Sequence, residues 1–152
     1  MNWFMDTSAL IKLYHHELGT DNLIQSFSRY PDDLIITFTD LSRVECHSTL
    51  MKRVRIGKLS LTKATEASAL LEQQIKRFRI VTIDSIAREL AIQLLHQIAH
   101  QNNLATLDAM QLAAAILSHQ ELAIDYFVTC DKRLLSFAQS YFKTFNPEIE
   151  NI

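Results

Sequence analysis

Four carboxylates, Asp6, Glu45, Asp108 and Asp131, are scattered through a chain of 152 residues, yet each falls where an α/β fold can turn it toward one crevice. Asp6 ends the apolar run Trp3-Phe4-Met5 and opens Thr7-Ser8-Ala9-Leu10. Asp131 follows Phe127-Val128-Thr129-Cys130 in the same strand-to-helix manner, and Asp108 lies near the start of a further helix. Carboxylates gathered at one point repel one another unless a cation lies between them. The pattern therefore points to a site for a hard divalent ion, Mg²⁺ or Mn²⁺, which prefers oxygen ligands and makes its retained waters more acidic. Such a site can direct water at a phosphodiester. Ser8 and Thr129 sit at the same strand ends. They read first as cap or turn hydrogen-bonding groups, and functionally as groups that hold an acid or a metal-bound water. Lys12 reads as a phosphate contact or a solvated lysine.

The elements that must position these groups alternate between short β-rich runs and longer helical patterns. The expected strands are Asn2 to Met5, Leu34 to Phe38, Ile80 to Ile83, Tyr126 to Thr129 and Phe142 to Phe145. The expected helices are Thr7 to His16, Asp21 to Arg29, Asp40 to Ile56, Leu61 to Phe78, Ser85 to Gln101, Thr106 to His119 and Lys132 to Ser140. This alternation predicts an α/β fold, a three-layer α/β/α sandwich on a mostly parallel five-stranded sheet of order 3-2-1-4-5. In that order ligands bind beyond the carboxyl ends of strands one and four, where Asp6 and Asp131 stand. Asp84 follows an edge strand and is expected outside the crevice as a helix N-cap; Asp40 is similar but nearer. In the helix from Asp40, the stripe Leu41, Val44, Ser48 and Met51 is expected to face inward with Glu45 at its edge. Thr106 is the expected N-cap of the helix that carries Asp108.

Composition removes several classes of function. The 152 residues fit one domain, 48% of them apolar and 21% charged, with no repeat or linker. No stretch is long and apolar enough for a membrane span and Met1-Asn2-Trp3 does not resemble a secretory leader, so a cytoplasmic location is expected. Gly19 and Gly57 are the only glycines, which rules out a G-x-G-x-x-G dinucleotide fingerprint and a P-loop in their usual forms. Cys46 and Cys130 read as reduced, structural thiols. His96 and His100 have a zinc spacing, but Gln97 replaces the glutamate that an H-E-x-x-H hydrolase uses as its base. A net charge of −2 argues against coating nucleic acid by bulk electrostatics. Locally, Arg43, Lys52, Arg53 and Arg55, with Lys58 beyond them, concentrate cations on one helix, as RNA phosphate contacts or as a solvated face.

Together these residues resemble the PIN domain, and within it the VapC-like toxin ribonucleases of type II toxin–antitoxin pairs. Phe4 to Tyr14 (FMDTSALIKLY) looks like the first family motif, Ser42-Arg43-Val44-Glu45 the second, Leu104 to Ala115 the third and Val128 to Leu134 the fourth. Ala105 departs from the arginine that many relatives carry before the third acid. The resemblance implies a Mg²⁺- or Mn²⁺-dependent endoribonuclease that leaves 5′-phosphate and 3′-hydroxyl ends. Asp6, Asp108 and Asp131 would be ligands, and Glu45 a ligand or proton acceptor. It also implies a homodimer and a small antitoxin protein that covers the acidic crevice. Two rivals remain: a phosphate-receiving Mg²⁺-binding signalling domain, which lacks its paired acids here, and a catalytically silent PIN-like binding module.

Overall fold

A computed structural model describes residues 1–152. Five strands, β1 (Asn2–Met5), β2 (Ile35–Thr39), β3 (Arg79–Val81), β4 (Tyr126–Val128) and β5 (Thr144–Phe145), form one sheet in the order β3-β2-β1-β4-β5. All four pairings are parallel, with Phe4 opposite both Thr37 and Phe127 in the central register. The helices are α1 (Thr7–Leu10), α2 (Thr20–Phe27), α3 (Asp40–Arg55), α4 (Leu61–Gln74), α5 (Ser85–Leu94), α6 (Thr106–Glu121) and α7 (Lys132–Ala138). None is long and apolar enough to cross a membrane.

The three layers follow from strand alternation, because successive side chains leave a strand on opposite faces. Trp3, Met5, Tyr126 and Val128 enter a core with Leu10, Leu23, Cys46, Leu50 and Leu71 from α1 to α4. Phe4 and Phe127 enter the other, with Ala91, Leu94, Leu112, Ala113, Leu134 and Ala138 from α5 to α7. Every residue of β1 is buried, as a central parallel strand covered on both faces requires. Trp3 anchors the first core among Phe27, Tyr30, Tyr126 and Phe145, with ring centroids 5.2–6.1 Å apart. Each such fully buried large side chain contributes about 1.5–3 kcal/mol through burial.

Local details depart from the sequence reading in five places. The first helix stops at Leu10 and tightens into a 3-10 turn over Ile11–Leu13, well short of His16. The helix from Leu61 likewise ends at Gln74 in a 3-10 turn, and the one from Ser85 ends at Leu94 in a π turn over Leu95–Ala99. Thr106 is the first helical residue of α6; its N-cap is Ala105, which offers no side-chain acceptor. The inward face of α3 is Ser42, Cys46 and Leu50, while Val44 and Met51 are 64% and 41% exposed. Apolar periodicity misplaced that face because Ser42, which meets Thr39 and Gln111, and Cys46, which packs in the core, carry little apolar signal. Both cysteines are free, as expected.

Candidate active site

β1 and β4 lie side by side at the centre of the sheet, and both end in an acid that caps the next helix. Asp6 Oδ1 accepts the Ala9 amide at 3.1 Å, and Asp131 Oδ1 accepts the amides of Arg133 and Leu134 at 2.8 and 3.1 Å. Capping fixes each carboxylate at the mouth of the crevice between the strands. Asp6, Glu45, Asp108 and Asp131 all line one open pocket of about 590 Å³ there, together with Thr7, Ser8, Lys12 and Gln111.

Each acid has its own support. The Ser8 hydroxyl donates to Asp6 Oδ1 at 2.8 Å, accepts the Cys130 amide at 2.8 Å and lies 3.3 Å from the Thr129 hydroxyl, tying the ends of β1 and β4 together. Thr129 Oγ1 accepts the Asp131 amide at 3.1 Å. Glu45 projects from the second turn of α3, where its Oε2 accepts the Thr7 hydroxyl at 2.5 Å and the Gln111 amide at 3.2 Å. Gln111 stands one turn beyond Asp108 on α6. It also bonds Ser42 and Thr39, forming a buried polar bridge from α6 to α3. Asp108 Oδ2 is buried without a hydrogen bond and is offset only by the Arg133 guanidinium at 3.2 Å.

Burial dominates the electrostatics. The Asp6 carboxyl is pushed up to about 6, chiefly by desolvation, against the lowering effect of its bonds to Ser8, Ala9 and Thr129. Asp108 is also raised by burial, with the charge of Asp131 adding to the shift and Arg133 opposing it. Both shifts describe carboxylates short of positive charge. The donor set is all oxygen at its centre, and Asp108, with one oxygen lacking a hydrogen bond, lines the same pocket, so these residues suit a hard divalent ion. In this conformation, however, no three His, Cys, Asp or Glu side chains are arranged to share one ion. Glu45 is hydrogen-bonded to Thr7 and Gln111, and Asp108 is ion-paired with Arg133.

The other candidates separate. Lys12 is neither solvated nor free to meet a phosphate: it is 2% exposed, and its Nζ bonds Glu17 Oε1, Leu18 O and Glu148 Oε1 at 3.1, 2.7 and 2.8 Å. Lys52 and Arg53 line the acidic pocket, with Arg53 paired to Glu17. Arg43 lies elsewhere, held by Glu72 beside a separate hollow, and exposed Arg55 lines no part of the crevice. A helix face spreads cations around its axis, so nearness in sequence does not give them one target. Asp84 caps α5 through the Ala87 amide, outside the crevice, and Asp40 holds the Ile83 amide beyond β3. His96 and His100 are exposed and belong to no group able to hold a metal. Sequence reasoning missed Thr7, Gln111, Arg133, Glu17 and Glu148 as parts of the site. Gln111 left the clearest signal, a lone amide within the apolar run of α6 three residues after an acid.

A family model, the PIN domain, matches residues 3–139. Solved structures of similar fold include Mycobacterium tuberculosis VapC20, a Sarcin-Ricin loop cleaving toxin, at TM-score 0.65 and 15% identity over 89% of this chain and 94% of that one. DNA-bound VapBC from Salmonella typhimurium aligns at TM-score 0.69 and 15% identity over 97% and 98% of the two chains. FitAcB from Neisseria gonorrhoeae aligns at 0.66 and 18% over 95% and 97%. Curated proteins gave no significant sequence match.

Proposed function

The chain belongs to the PIN domain family, and from that premise we propose that it is a divalent-metal-dependent endoribonuclease, the toxin of a toxin–antitoxin pair. The observation that carries this reading is the convergence of Asp6, Glu45, Asp108 and Asp131 on one pocket at the ends of β1 and β4. Asp6, Asp108 and Asp131 would hold Mg²⁺ or Mn²⁺, directly or through water, with Glu45 as a further ligand or proton acceptor. When bound, the ion supplies charge neutralisation at the phosphodiester and a more acidic water.

The chain's own residues do the positioning. Asp6 is oriented by Ser8 and the Ala9 amide, so its free edge faces the pocket. Thr7 and Gln111 hold Glu45 by Oε2, which would leave the other oxygen for water or metal. Arg133 neutralises Asp108 in the structure. With that pair open, Asp108 would be a ligand to the ion and Arg133 would be available to a phosphate oxygen.

RNA is the proposed substrate, and a small antitoxin the proposed partner. Support for the partner comes from the fold shared with toxin–antitoxin complexes and from Leu107, an apolar side chain 45% exposed beside the acids of the pocket. Homodimerisation is part of the same proposal. Purified protein incubated with total RNA tests the reading: cleavage is expected with Mg²⁺ or Mn²⁺, and none after chelation or in Asp6→Asn and Asp108→Asn. A wild-type protein that leaves RNA intact with either metal would refute it and favour a silent binding module.

A further inference from the structure

Three hollows run into one another along one side of the molecule. The acidic pocket shares Glu17, Thr49, Lys52 and Arg53 with a second hollow of about 350 Å³. That hollow shares His15 and Lys58 with a third of about 660 Å³. Joined by these shared walls, the three adjoin in series, as a trough from the carboxylates, past the C-terminal end of α3, to the first turn of α4. Along it the charge changes sign. Lys52, Lys58 and Lys63 are exposed, and none has an acidic partner within ion-pair distance. Glu17, the acid at the junction, is already committed to Lys12 and Arg53. Glu66 remains as the one acid at the far end, opposite Tyr14 and Leu59.

Uncompensated lysines in series are notable on a chain of net charge −2. A small anionic ligand would need convergent donors, whereas monocations spaced along a trough match the repeating charge of a polymer backbone. We infer that this trough carries the phosphate backbone of a single RNA strand leading into the acidic pocket, with Lys52, Lys58 and Lys63 as its contacts and Arg43 outside it. The inference rests on the ribonuclease reading and adds a direction and a footprint to it.

The test is fluorescence anisotropy with a single-stranded RNA 12-mer, under chelation so that nothing is cut, at stepped salt. For Lys58→Gln/Lys63→Gln the slope of log K against log salt should fall by about 1.4, about 0.7 per lost phosphate contact. Lys76→Gln/Arg77→Gln, an equal charge change in the 3-10 turn after α4, should leave the slope unchanged. Equal slopes in wild type and Lys58→Gln/Lys63→Gln, or equal losses in both pairs, would overturn the trough. A glutamate-rich peptide that binds the wild type in place of RNA would instead assign it to an acidic protein segment. Metal-dependent cleavage of total RNA by the wild type, measured in parallel, separates failure of the trough from failure of the ribonuclease reading.

Discussion

Asp6→Asn separates what this carboxylate costs the fold from what it does. Burial beside the end of β1 raises its carboxyl from the ordinary 3.8 to about 6 in the folded protein. A folded-state value above the unfolded one means that the native protein binds the proton more tightly. Stability contributed by this group is therefore full below about pH 4 and lost as pH rises through about 6. The gap, about two pK units, corresponds to about 3 kcal/mol. Asparagine keeps an oxygen that can accept from the Ala9 amide and the Ser8 hydroxyl, so the cap of α1 survives while the charge goes. In chelator near pH 7.5 the variant should be more stable than wild type by up to about 3 kcal/mol, roughly 6–12 °C in Tm for a chain of this size. That advantage should shrink toward zero near pH 4, read by urea denaturation at a series of pH values. Magnesium should raise the Tm of wild type and leave the variant's nearly unmoved. A variant less stable than wild type at pH 7.5, or an advantage constant with pH, refutes the account.

Thr7→Val removes the 2.5 Å bond to Glu45 without adding bulk, and a misdirected Glu45 should lower RNA cleavage at saturating substrate by roughly 10- to 100-fold. Single-turnover kinetics with little change in RNA affinity would show this. Lys12→Ala leaves Glu148 without its cation and Glu17 with Arg53 alone. Because both acids are partly exposed, the loss should sit near the low end of roughly 3–5 kcal/mol, read by urea denaturation. Gly19 and Gly57 both have positive φ, but a Cβ on Gly19 would meet the backbone of Pro147 and Glu148 at 2.9 Å, while one on Gly57 meets nothing within 4 Å. Gly57→Ala should therefore cost about 1 kcal/mol, and Gly19→Ala clearly more, with faster proteolysis of the C-terminal segment.

The order of elements and the acids at the ends of β1 and β4 were legible in the sequence, because both depend on local rules. Apolar runs bounded by polar residues make strands, and an acid after a strand caps the helix that follows. Strand order then followed from the packing preference of alternating units. The inward face of α3 was not legible. Its buried residues Ser42 and Cys46 carry little apolar signal, whereas exposed Val44 and Met51 mimic a core stripe.

Partners joined across long separations were decided only by the tertiary structure. Gln111 reaches Glu45 across 66 positions, and Lys12 reaches Glu148 across 136. Lys12 reads as a phosphate contact or a solvated lysine from its neighbours, yet folding buries it among acceptors from Glu17, Leu18 and the distant Glu148. Residue type and spacing set which groups can form caps, strands and a carboxylate cluster. Which charges end up paired, buried or left free depends on how helices pack over the sheet, since that packing sets both distance and desolvation.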